Sequence, residues 1–418
     1  MGFNIWTDCP RIPITQLLEF IVDNRGKTVP TAPSGHKLIA TNCVTNNTLF
    51  PVYEKVRYLS DETYRTWFRA HPIPGDILFV NKGTPGRVCM VPDPIDFCIA
   101  QDMIALRADD SKIYNKYLFA VLRSREIQQQ IYNTNVGDVI PHFKKQFMDQ
   151  LLIPVPDRKV QEAIGDLYYA LSYKVEHNKK INDNLQQQIK SLVAAWLVDY
   201  VPFGGEMPSD WCTISLATIA DFVSGYSYKG AELQPSTTAM ATIKNFDRNG
   251  GFKLDGFKEL VPSSKIKPCH YAEKFDVIVA HTDLTQKAEV IGNAEPIINL
   301  SGYESIVFSM DLVKVVPKDT RVSKFLLAAL LQHPRFKAHC LGYVNGTTVL
   351  HLSKKALPDY ELDFPTDPAV LVPLDDALRV LYMQMATIVD ENRKLQDLRD
   401  TLLPRLMSGQ IDVTDIDF

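Results

Sequence analysis

Apolar positions along this chain follow three rhythms. Fully apolar runs, "ILFV" at 77–80 and "VIVA" at 277–280, read as strands buried on both faces, each directly after an acid, Asp76 or Asp276. Residues 117–131 and 325–339 read as helical. From Val160, and again from Leu371, the interval becomes seven residues. In the first of these segments Ile164, Leu171, Asn178, Leu185 and Leu192 form one column, and Val160, Leu167, Lys174, Ile181, Gln188 and Ala195 the other. In the second, Leu371, Leu378, Met385 and Asn392 form one column, and Leu374, Leu381, Ile388, Leu395 and Leu402 the other. Asn178 and Asn392 are the polar breaks in the two first columns, and a lone Asn in an apolar seam fixes coiled-coil register at some cost in stability.

The same order of elements occurs twice. "GDVIPHFKKQF" (137–147) and "GTTVLHLSKKAL" (346–357) place His142 and His351 209 residues apart, each with a Lys pair after it and then an apolar strand pattern closed by Pro156 or Pro365. "ITQLLEFIV" (14–22) matches "LATIADFVS" (216–224) at offset 202, the buried strands match at 200, and the helical stretches at 208. Changing offsets between matched elements mean insertions in loops, as expected of two copies of one fold with different functional loops. The second copy has Phe275 where the first has Gly75, which puts the turn before that strand in doubt. At offset 214 the heptad segments superimpose with Asn178 on Asn392, which favours mutual burial of their seams over separate packing on each domain. The expected architecture is α+β: two repeated mixed α/β domains joined and separated by two long helices that form an antiparallel coiled coil, with boundaries at 1–156, 157–200, 201–365 and 366–418.

Composition narrows the chemistry. The chain has 418 residues, 45% of them hydrophobic, with 45 Lys and Arg against 49 Asp and Glu, a net charge of −4. Any surface for nucleic acid must therefore be a local patch. The seven cysteines are scattered without a CxxC pair, so neither a disulfide framework nor a metal site is expected. No signal peptide or membrane span is expected, and a cytoplasmic location is the default. The sequence contains no Pro-Pro, GxGxxG or GxxxxGK[ST], so neither an adenine-methyltransferase loop nor a phosphate loop is encoded, and no cofactor is expected. Catalysis is expected to reside on partners.

The order domain, heptad segment, domain, heptad segment resembles the specificity (S) subunit of type I restriction-modification systems. Two phrases carry the resemblance: "LRDTLLPRLMSGQI" (398–411), like the family's Leu-rich tail, and "WLVDY" (196–200), like its linker ending. The resemblance implies two target recognition domains, each reading half of a bipartite double-stranded DNA target. It further implies helices that dock methyltransferase (M) subunits, two of them, and restriction (R) subunits that join this core. Helices of 35 to 40 residues would be roughly 50–60 Å long, enough for two readers so joined to touch sites one or more DNA turns apart.

DNA contact needs cations for phosphates and amide, hydroxyl or guanidinium groups for base edges. In the first copy "FVNKGTPGRV" (79–88) offers Asn81, Lys82, Thr84 and Arg87 on a Gly-rich turn. The matching loop "AHTDLTQKAEV" (280–290) offers His281, Thr282, Asp283, Thr285, Gln286 and Lys287, different chemistry at the same place. Tyr226, Tyr228 and Lys229, with Lys244 and Arg248, are further candidates, though solvated loops would look similar. His142, Lys144 and Lys145, and His351, Lys354 and Lys355, are phosphate candidates expected at a helix start, where backbone N–H groups favour anions. A coiled-coil scaffold carrying two protein-binding domains, with no role on DNA, is the alternative.

Overall fold

Both fully apolar runs form central strands of antiparallel sheets. The structure, a computed structural model, describes residues 3–24, 26, 28–134, 141–248 and 250–411, except for the side chain of Lys145. It comprises two compact units, residues 1–179 with 392–418, and residues 180–391. In the first unit the core sheet runs in the order Leu18–Val22, Met103–Ala108, Ile77–Val80, Val88–Met90. In the second it runs Ala220–Ser224, Leu312–Pro317, Val277–Ala280, Ala294–Pro296. Numbered along each copy, both orders are first, fourth, second, third, so the duplication read from the sequence is a duplication of topology.

A second, smaller sheet accompanies each core sheet and contains a parallel pair, His36–Ile39 with Phe97–Ile99 in one unit and Thr238–Ala241 with Ser305–Phe308 in the other. Each copy is then closed by pairing its opening strand with its Pro-closed one, Arg11–Pro13 with Leu152–Pro154 and Trp211–Ser215 with Glu361–Pro365. Tyr200 and Phe203, just beyond "WLV", pack their rings on Trp211 of the second closing pair.

The turn placed in doubt by Phe275 is retained. Gly75 has φ +88° and Phe275 φ +69°, so a residue with a Cβ occupies the left-handed region at a cost of roughly 1–2 kcal/mol. The same hydrogen bonds hold both turns: Gly75 N–H to the Val91 carbonyl and Phe275 N–H to that of Ile297. Asp76 and Asp276 accept from the N–H groups of Ile73 and Glu273 at 3.0 and 2.9 Å. The Phe275 ring lies 4.9 Å from that of Phe325, an apolar contact that glycine lacks.

The heptad segments form two long helices, Arg158–Leu197 and Val372–Met407. In the first unit the early part of one packs on the late part of the other: Ile164, Leu167, Tyr168 and Leu171 lie with Arg399, Leu402, Leu403 and Leu406. In the second unit Leu185, Ile189, Val193 and Leu197 share a core with Leu374, Leu378, Tyr382 and Met385. Early residues therefore meet late ones, which is antiparallel pairing. Asn178 is 1% exposed and its Nδ2 donates to Asn392 Oδ1 at 2.9 Å. The first columns are largely buried as read. The second column of the first helix is not: Lys174 and Gln188 are exposed, and Tyr168, Val175 and Ile189 are buried instead. The second helix stops at "SG", where Gly409 takes φ +72° and Gln410 N–H returns to the Arg405 carbonyl at 2.9 Å. Among the described residues no helix is long and apolar enough to cross a membrane.

A buried polar network ties the second unit's sheet to both helices. Glu295 accepts from Gly251 N–H at 2.6 Å and from Gln332 Nε2 at 2.7 Å. Gln332 Oε1 in turn accepts from the Tyr382 hydroxyl at 2.7 Å and from Gln186 Nε2 at 3.2 Å. Burial pushes the Glu295 carboxyl up to about 7, against the opposing effect of its donors. A carboxyl whose folded-state pKa lies above the ordinary value of 4.5 takes up a proton on folding. The associated stability is present below about pH 4.5 and is lost as pH rises through about 7. Glu295→Gln is thus expected to flatten the decline between pH 5 and 8, worth roughly 2–3 kcal/mol in the wild type. Denaturant melts at both pH values check this, and an unchanged slope in the variant would refute it.

Candidate nucleic-acid interface

The loop after each central strand and the distant His-containing phrase meet in space, in both units, through matching backbone bonds. In the first unit Lys82 and His142 form an isolated antiparallel bridge. Phe143 N–H donates to the Asn81 carbonyl at 2.7 Å, and Gly83 N–H to that of Pro141 at 3.0 Å. In the second, Thr282 pairs with His351, and Leu352 N–H donates to the His281 carbonyl at 2.9 Å. Lys82 and Thr282 are 200 residues apart and the two histidines 209, so sequence matches found separately become one repeated piece of geometry. The site of each unit combines the loop, the His and the basic phrase.

The loops hung on this frame differ. Five residues separate Val80 from Gly86 and eleven separate Ala280 from Gly292. Both glycines are left-handed, at φ +88° and +77°, and both N–H groups return to the preceding strand's end at Val80 or Ala280. At Gly292 a Cβ would sit 2.7 Å from the Cys340 Cβ, so glycine is required there by space as well. The longer loop is braced by Asp283, which accepts from the backbone and hydroxyl of Thr285 and from Val290 N–H, at 2.8 to 2.9 Å. Burial acts to raise the Asp283 carboxyl, but these donors outweigh it and hold it below the ordinary range. Asp283 is read from sequence as one more polar group of the loop, and its role as the brace is signalled by the Asp followed two residues later by Thr.

Three candidates point inward and cannot touch DNA as placed. Asn81 is 0% exposed and its amide donates to the Phe143 carbonyl at 3.3 Å. Thr282 is 6% exposed, bound to Asp311 Oδ1 at 3.1 Å. Tyr226 is 5% exposed, its hydroxyl held by Glu232 at 3.0 Å and Ser263 at 2.8 Å. Asn81 thus bonds a backbone carbonyl of the facing phrase, while Thr282 and Tyr226 bond side chains. They position the loops.

The remaining candidates reach solvent. Lys82, Lys144, Lys229, Lys244, Lys287, His351, Lys354 and Lys355 are exposed; Thr84, Arg87, His142, Tyr228, His281 and Thr285 are partly so. Arg248 is exposed but ion-paired to Glu289 at 3.2 Å. Burial lowers the His281 pKa, and the nearby His351 and Lys354 lower it further, so cationic groups of the loop and of the basic phrase share one field. Residues 137–140 of the first basic phrase, and the Lys145 side chain, lie outside the described residues. The expected helix starts are weaker than read. Lys145 opens a six-residue 3-10 segment to Gln150, and Lys354 and Lys355 sit in turns without a helix. Pro358, which lacks an N–H, stands where a continuing helix would need one. The lysines of both phrases therefore carry side-chain charge with no helix dipole behind it.

Residues 31–187 match the family model described as the type I restriction modification DNA specificity domain. The chain is 21% identical over 412 residues to the type I restriction enzyme HindI specificity subunit of Haemophilus influenzae, covering 81% of this chain and 86% of that one. It is 21% identical over 365 residues to the MjaIX specificity subunit of Methanocaldococcus jannaschii, covering 82% and 79%. A crystal structure of a type I restriction-modification S subunit from M. genitalium shares the fold, with a TM-score of 0.53 at 16% identity over 95% of each chain. The likeness is thus to a type I restriction modification DNA specificity domain over residues 31–187, and to type I specificity subunits along about four-fifths of the chain.

Proposed function

We propose that each unit reads one half of a bipartite DNA target, that residues 157–200 and 366–418 dock two methyltransferase subunits, and that restriction subunits join through that assembly. The chain serves recognition and leaves catalysis to its partners. The observation that carries the bipartite reading is the repeated pairing of loop and His phrase, identical in backbone and different in side chains. Two copies of one frame carrying unlike loops suit two unlike half-sites. Lys82, Lys144, Lys287, Lys354 and Lys355 meet phosphates, and Thr84, Arg87, His281, Thr285 and Gln286 are within the loops that approach base edges. Tyr228, Lys229 and Lys244 flank the second reader. Residues 1–156 and 201–365 form the two recognition domains in this scheme.

Methylation-protection mapping of the complex assembled with its methyltransferase partner tests the division of labour. Thr84→Ala with Arg87→Ala is expected to relax base preference in one half of the footprint and leave the other half intact, and Thr285→Ala with Gln286→Ala to do the reverse, each by about 1–3 kcal/mol at the affected position. A variant in one unit that changed preference in both halves would overturn the assignment.

A further inference from the structure

A cavity of about 290 Å³ in the first unit lies among Arg123, Arg125, Tyr168, Arg399 and Asp400. Arg399 is 5% exposed; its Nε donates to Asp400 Oδ1 at 2.8 Å, and its guanidinium stands 5.5 Å from the centre of the Tyr168 ring. Arg123 spends Nη2 on the carbonyls of Thr48, of Val88 at 2.8 Å and of Thr45 at 3.2 Å. Its Nε and Nη1 are buried and make no hydrogen bond of ordinary geometry among the described residues, although the Tyr168 side chain stands close enough to act on the guanidinium. Burial lowers the Arg123 pKa against the opposing effects of Tyr168 and Cys89, and Arg399, which lines the same cavity, lowers it too. Unpaired guanidinium N–H groups out of water are costly to leave unsatisfied.

The other unit solves the same position internally. In its core sheet Glu295 stands opposite Ile278, and in the first unit the residue opposite Leu78, 200 positions earlier, is Cys89. Tyr382 and Tyr168 are likewise equivalent at the helix offset of 214, and Gln332 follows the position equivalent to Arg123. The second unit therefore closes its site with a carboxylate, Gln332 and Tyr382. The first has cations and a tyrosine, and a Cys89 thiol whose pKa burial raises far above the ordinary range, so it supplies no negative charge. Counting Arg123, Arg125 and Arg399 against Glu126 and Asp400 leaves one positive charge for a ligand to balance.

We propose that this pocket binds a carboxylate, either a small free acid or an acidic side chain, bridging Arg123 and Arg399 in the place that Glu295 fills in the sister unit. The test needs no DNA, so its failure leaves the recognition reading untouched. Thermal melts of the full chain at pH 7.5 compare sodium acetate, a capped acidic hexapeptide and sodium phosphate, each against sodium chloride at matched ionic strength. Acetate is expected to raise the midpoint by about 3–5 °C per tenfold increase once it exceeds its dissociation constant. A hexapeptide response at tenfold lower concentration than acetate identifies a side chain as the occupant, and an equal or weaker one a free acid. Arg399→Gln should abolish the response, and Cys89→Glu should abolish it while melting no lower than wild type in chloride. Response to phosphate without response to acetate overturns the carboxylate assignment, and wild-type melts indifferent to every anion overturn the pocket.

Discussion

Alanine at Lys144, Lys145, Lys354 and Lys355 together is expected to weaken duplex binding for every sequence tried and to reduce the slope of log K against log salt by up to about 4. Each phosphate contact releases close to one counterion, so each lost lysine removes about 0.9 from the slope. Between 50 and 200 mM salt a slope of that size amounts to roughly two orders of magnitude in affinity. Lys144, Lys354 and Lys355 are exposed, and both phrases are stitched by backbone bonds to the loops that carry the unlike side chains. Gel-shift titrations across a salt series, with the methyltransferase partner present, read the effect directly. Full binding with altered base preference would mean that these lysines lie on base edges. An unchanged slope would move the phosphate contacts elsewhere.

A large loss of stability is expected at Gly165. This glycine lies in the first long helix where it crosses the start of Asn115–Arg123, and a Cβ there would fall 2.6 Å from the Tyr117 backbone N and 3.0 Å from the Lys116 carbonyl carbon. Backbone cannot swing aside as a side-chain tip can. The crossing is pinned on both sides: Gln161 Oε1 accepts from Tyr114 N–H at 2.8 Å, and Asp166 accepts from the Tyr114 hydroxyl at 2.8 Å and from Lys116 Nζ at 2.6 Å. Gly165→Val is therefore expected to cost about 3 kcal/mol or more, and Gly165→Ala about half of that, because overpacking against fixed backbone forces the elements apart. Urea denaturation measures both. An alanine variant within 0.5 kcal/mol of wild type would show that the helix does not approach this closely.

Much of this fold could be read from spacing alone, and the failures have identifiable causes. The duplicated strands and the Asn pair were legible because a fully apolar run and a single polar break are local signals. The second heptad column was misread at Lys174 and Gln188 because each half-helix packs against its own domain as well as against the other helix. The buried stripe then widens and follows the 3.6-residue period, taking in Tyr168, Val175 and Ile189. Polar loop residues are ambiguous in sequence for a different reason. Asn81, Thr282 and Lys82 are all polar, and only the partners that the folded loop brings near decide which turn inward. Glu295 left a faint trace, an acid inside an otherwise buried strand, but its partners Gly251 and Gln332 lie 44 and 37 residues away. The arginines of the first unit left none: Arg399 sits in a Leu-rich helical phrase where an exposed charge is the ordinary expectation, and its burial depends on Tyr168 from the other helix.

The Asn178–Asn392 contact joins a position to its own counterpart in the repeat. A bond of that kind needs only one ancestral residue, met by the same residue in a second molecule. Two identical copies of half this chain, clasped amide to amide, would make the same seam, and fusion of their genes would leave each half's loops to diverge alone.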